Sequence, residues 1–113
     1  MADVVYIDVE DGLKRVMNNK KLYAKLLTKF KEDQNIKNIE TTLAAGDLQN
    51  AQIATHTLKG LSANLSLTEL NKHVVELEAQ IKAGSVKPDQ YDKVKSVYTQ
   101  SMIEVDKVIT QYA

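Results

Sequence analysis

Apolar residues recur every third or fourth position along nearly the whole chain, and only one proline and four glycines interrupt them. The pattern predicts five or six helices and no strand. Asp8 can cap a first helix, with Asp11 in its first turn and Leu13, Val16 and Met17 turned inward, before Asn18-Asn19 interrupts it. A second helix begins near Lys20 on a stripe of Leu22, Tyr23, Leu26, Leu27 and Phe30. Ile36, Ile39, Leu43 and Ala44 continue that pattern up to Gly46, a residue type that ends helices. Asp47 can cap a third helix from about Leu48 to Leu65. Ser66-Leu67-Thr68-Glu69 has the form of a capping box and opens a fourth. Its inner face is Leu70, Val74, Leu77 and Ile81, and Gly84 stops it. Pro88 fits the first turn of a long last helix, striped by Tyr91, Val94, Tyr98, Met102, Val105, Ile109 and Tyr112. Long amphipathic helices with short connections predict an all-α fold: an antiparallel up-and-down four-helix bundle with one or two additional short N-terminal helices.

The 113 residues suit one domain, residues 1–113, and 43% hydrophobic residues supply one core. Absence of cysteine excludes disulfides, thiolate metal sites and cysteine nucleophiles. Fifteen basic residues balance fifteen acidic ones and are scattered among them, so no field of one sign gathers nucleic acid. The N-terminus, Met1 to Asp8, lacks the basic region and apolar run of a signal peptide. No stretch approaches the roughly 20 apolar residues of a membrane span. The expectation is a cytoplasmic monomer without membrane association, and Met1 with the compact length favours a free-standing protein. Without a Gly-rich loop or kinase signature, neither ATP binding nor self-phosphorylation is expected.

The third helix concentrates the chemistry. Ala51, Ala54, Leu58, Leu61 and Leu65 fall within a sector of about 80° at ~100° per residue, which defines its core-facing stripe. His56 lies on the opposite side of that wheel and should face outward. Gly60 sits one turn later, where a helix-interior glycine costs about 1 kcal/mol relative to alanine. Clearing space beside the imidazole for an incoming protein supplies a reason for it, and Ala63 extends the low surface. Lys59, three residues after His56, can reach a negative group held on the ring. An exposed nucleophile, a flat approach and a nearby cation are what phosphoryl transfer to an imidazole requires. Gln49, Gln52 and Ile53 share this face, which points to a docking surface with one exposed apolar side chain at Ile53.

The segment Ala54-Thr55-His56-Thr57-Leu58-Lys59-Gly60-Leu61-Ser62-Ala63-Asn64-Leu65 closely resembles the signature of histidine-containing phosphotransfer (HPt) domains. That signature reads A-H-x-L-K-G-x-x-x-N-[LI]-G, here with one extra residue between Ala54 and His56. The resemblance extends upstream through Leu22 to Phe30 and Leu43 to Asp47, and downstream to Leu77-Glu78. It implies that His56 is the phosphorylated residue, modified on Nε2, that Lys59 steadies the phosphoryl group and that Gly60 permits close approach of a receiver. Glu78 matches a position where some relatives place a Glu or Gln that hydrogen-bonds the other ring nitrogen. One departure is Ser66, which stands where the family usually has glycine.

The resemblance implies a phosphocarrier in a two-component phosphorelay, not an enzyme. Its partners would be receiver domains of response regulators or of a hybrid sensor kinase. Cofactors are not implied, and the Mg²⁺ that assists such transfers would belong to the receiver, so no metal is expected in this chain. The alternative is a helical interaction module that docks receivers or other proteins without carrying phosphate. His73 lacks a recognisable partner set and reads as solvated surface. Neither histidine lies in the Glu-x-x-His pairs that a di-iron bundle needs.

Overall fold

Side-chain caps start three of the helices and left-handed residues end four. The computed structural model describes residues 4–113; Met1 to Asp3, part of the segment read above for a signal peptide, lie outside the described residues. It contains α1 (Val9–Arg15), α2 (Lys20–Lys31), α3 (Asn35–Ala44), α4 (Leu48–Asn64), α5 (Thr68–Lys82) and α6 (Gln90–Tyr112), with no strand among the described residues. At the N-terminal ends, Asp8 accepts from Asp11 N at 3.1 Å, Asn19 from Leu22 N at 3.0 Å and Asp47 from Asn50 N at 3.2 Å. Each such cap contributes about 1 kcal/mol.

Four helices close in the same way. Met17, Gly46, Ser66 and Gly84 follow α1, α3, α4 and α5 with φ of 56°, 72°, 60° and 74°. In each case the next residue's N–H reaches back to the third-last helical carbonyl: Asn18 to Leu13 at 2.7 Å, Asp47 to Thr42 at 2.8 Å, Leu67 to Ser62 at 2.9 Å and Ser85 to Gln80 at 3.1 Å. This motif corrects two expectations. Met17 is not on the inner face but 91% exposed, because closing the helix in the left-handed region turns its side chain away. Ser66 does not open α5 as a capping box; it ends α4, and α5 begins behind Leu67 without a side-chain cap. A side chain in the left-handed region costs about 1–2 kcal/mol. Ser66 offsets part of that by donating from Oγ to Asp11 Oδ2 at 2.6 Å, while its carbonyl accepts from Asp8 N at 2.9 Å.

The second predicted stripe is divided between α2 and α3. Six residues separate Phe30 from Ile36, so a straight helix would place them about 120° apart. Both are buried, which requires the chain to break and re-aim between them. Asp33 makes the break, its carboxylate accepting from Asn35 N at 3.0 Å and from the Asn35 amide at 2.8 Å. Pro88 likewise lies before α6 rather than in its first turn, within a tight turn closed by Gln90 N to Lys87 O at 3.1 Å.

The helices form an up-and-down bundle. α2 runs antiparallel to α6, with Lys20 over the Tyr112 ring at 5.4 Å and Lys31 paired with Asp106, and Tyr91 OH of α6 donates to Ile36 O of α3 at 3.2 Å. α4 packs beside α3, α5 beside α4, and α6 beside α5. Tyr23, Leu27, Phe30, Ile36, Ile39, Ala51, Leu58, Leu70, Val74, Leu77, Val94 and Val105 interlock at the centre. Leu22, read as part of the inner stripe, sits at its edge and is 40% exposed. The short α1 is clasped to the α4–α5 turn by the Asp11–Ser66 bond, and at the same turn Tyr23 OH of α2 donates to Leu65 O and Thr68 Oγ1 to Val5 O, ahead of α1, each at 2.8 Å. A Cβ on the buried Gly12 would collide with the Tyr23 phenol, so close approach explains that glycine. Among the described residues, no helix is long and apolar enough to cross a membrane.

Candidate functional site

The core-facing side of α4 holds Ala51, Ala54 and Leu58 buried, with Leu61 half-buried at its edge and Leu65 buried just past its end. His56 stands opposite, its side chain 68% exposed. Gln49, Ile53, Gly60 and Ala63 are exposed on the same side, and Gln52 is half-buried. A Cβ built on Gly60 would meet nothing within 4 Å. The fold itself therefore gives no steric reason for glycine at that position.

The ring of His56 is oriented from α5. Glu78, read from sequence as a candidate, projects from α5 with its side chain only 4% exposed. Its Oε2 lies 3.0 Å from His56 Nδ1, and its Oε1 is closely paired with the Lys59 ammonium. Lys82 adds a second cation, 4.0 Å from the same oxygen. Burial pushes the Glu78 carboxyl up, but hydrogen bonds from Lys59 and His56 and the charges of Lys59 and Lys82 outweigh it. The net effect holds the group below its ordinary value. An ionised carboxylate only accepts, so the proton of a neutral ring belongs on Nδ1 and the Nε2 lone pair is left free. Lys59 points back to Glu78 rather than standing free beside the ring; it balances a buried carboxylate that would otherwise be costly.

Sequence reasoning passed over two residues of this region. Ser62 is fully buried on the α5 side of α4, and its Oγ donates to Lys59 O at 3.0 Å. Asn71 on α5 donates from Nδ2 to that same carbonyl at 3.0 Å and to Ser62 Oγ at 3.2 Å. A serine facing a buried helix side and an asparagine in line with Glu78 on α5 were the available signals, but their pairing needs the helix register.

His73 departs from its expected place in solvent. Its side chain is 24% exposed, Nε2 lies 3.2 Å from Glu69 Oε1, and its backbone carbonyl accepts from Gln90 Nε2 at 3.2 Å. The partner was one turn back on the same helix, at the i, i+4 spacing. Among the described residues, no group of three or more His, Cys, Asp or Glu is placed to hold a metal ion.

One imidazole is thus presented on the open face of a helical bundle, with its Nδ1 held from the adjacent helix. The family model for the Hpt domain matches residues 25–106, well over half the chain, and the chain belongs to that family. Hpt domains are phosphocarriers of two-component signalling that work with receiver domains. No curated protein and no solved structure matches the chain.

Proposed function

We propose that this protein carries a phosphoryl group on Nε2 of His56, accepting it from the aspartyl phosphate of a receiver domain and passing it to another receiver in a phosphorelay. The observation that carries this reading is the pairing of Glu78 with Nδ1 of His56 on a ring whose side chain is 68% exposed.

In the forward step the Nε2 lone pair attacks phosphorus. An N–P bond forms, the P–O bond to the receiver's aspartate breaks, and the aspartate leaves as a carboxylate. The ring keeps its Nδ1 proton and becomes cationic, and the Glu78 carboxylate faces that charge at hydrogen-bond distance. The return step reverses the bonds: an aspartate oxygen of the second receiver attacks phosphorus and the neutral imidazole leaves. Lys59 can serve both states, neutralising Glu78 before transfer and turning toward the phosphoryl oxygens after it. Gly60 keeps the ground beside the ring low, and Gln49, Gln52, Ile53 and Ala63 give the receiver a mixed polar and apolar surface.

Mixing the protein with a phosphorylated receiver tests this directly. Acid-labile, base-stable phosphate should appear on the wild type and be absent from His56→Gln. A folded wild type that docks receivers but takes no phosphate from any of several would replace the carrier with a docking module.

A further inference from the structure

The site depends on a contact between two helices, and apolar packing alone does not set it. α4 and α5 meet through Leu, Val, Ile and Ala side chains, whose attraction is non-directional. One residue of slip along a helix is ~1.5 Å, enough to carry a hydrogen bond of 3.0 Å out of reach. Something directional must hold the register at which Glu78 meets His56.

We infer that Asn71 and Ser62 are positioning residues for the phosphotransfer histidine, holding α5 against α4 at the one register that seats Glu78 on His56 Nδ1. This inference rests on the carrier role proposed for His56. Asn71 precedes Glu78 by seven residues, two full turns on one face of α5. Ser62 follows His56 by six residues on α4. At ~1.5 Å per residue the two separations are about 10 and 9 Å, so the polar contacts stand at matching heights on antiparallel helices. The buried Ser62 hydroxyl needs partners and finds two, donating to Lys59 O and accepting from Asn71 Nδ2. Asn71 also grips the Lys59 carbonyl, while Glu78 takes the ammonium of the same residue. Lys59 is thus held at both its backbone and its side chain from α5. Two directional contacts, rather than one, fix both the height and the rotation of α5 beneath the imidazole.

The test reads the ring itself. In protein labelled with ¹⁵N at histidine, nitrogen shifts separate the Nδ1–H from the Nε2–H tautomer. Wild-type His56 should be dominated by Nδ1–H. Asn71→Ala, folded with unchanged helical content, should show His56 as a mixture of both tautomers and accept phosphate from a phosphorylated receiver about tenfold more slowly, the scale expected for a displacement below 1 Å. Ser62→Ala, which leaves the Asn71 bond to Lys59 O, should move both readings the same way by less, and it decides the matter should Asn71→Ala unfold. Folded variants that keep the wild-type tautomer and rate would overturn the inference. If the wild type itself accepts no phosphate, the carrier reading fails, and the tautomer readout still decides whether Asn71 and Ser62 position the ring.

Discussion

Two histidines in this protein each meet a glutamate, and the two pairs are built differently. At His56 the glutamate comes from the neighbouring helix, is 4% exposed and takes Nδ1, while the ring stands 68% exposed. At His73 the glutamate comes from the same helix, the two side chains are each 24% exposed, and Nε2 itself is the bonded nitrogen. A nucleophilic imidazole needs one nitrogen fixed and the other free. The first pair meets that need, and the second leaves Nε2 occupied by Glu69. Proximity of a carboxylate is therefore not the signal; which nitrogen it takes, and from which element, separates the two regions.

The comparison can be broken most sharply at the rings. His56→Gln should remove all acid-labile phosphate delivered by a receiver, whereas His73→Gln should leave acceptance within about twofold. Next come the carboxylates. Glu78→Ala should slow phosphoryl acceptance by about ten- to a hundredfold, as loss of an orienting partner does elsewhere. Glu78→Gln keeps an acceptor for Nδ1 and should stay within about threefold, and Glu69→Ala should not alter the rate. Stopped-flow transfer from a labelled receiver measures all three.

Gly60 tests whether the openness around His56 belongs to the partner. Because a Cβ there meets nothing, Gly60→Ala should stabilise α4 by about 0.5–1 kcal/mol in thermal melts while weakening receiver docking. The smallest expected effect is on acid stability. Glu78 is held below its ordinary value in the folded protein, so its contribution is complete above the unfolded value of about 4.3 and is lost as pH falls through the folded value. Wild-type melting temperature should therefore fall more steeply below about pH 5 than that of Glu78→Gln.

What the amino-acid pattern revealed depended on whether the information lay within one helix. The inward faces of α4 and α5 follow from a single period, and the buried Ala51, Leu58, Leu70, Val74 and Leu77 are the positions that period selects. The outward placement of His56 came from the same wheel. The break at Asp33 was hidden because the stripes on either side are each regular, and only their phase slips between Phe30 and Ile36. Ser66 carried two local meanings, a cap for the next helix or a left-handed end to the previous one. The contact with Asp11, 55 residues away, accompanies the second. Ser62, Asn71 and the burial of His73 were beyond reach for a related reason, since each depends on how one helix lies against another.

The most direct measurement is the position of the phosphoryl group itself, by ³¹P and ¹⁵N NMR of the protein after reaction with a phosphorylated receiver. The account predicts a single phosphohistidine at His56, substituted on Nε2, with the Nδ1 proton retained toward Glu78. Phosphate on Nδ1 of His56, or on His73, would contradict it.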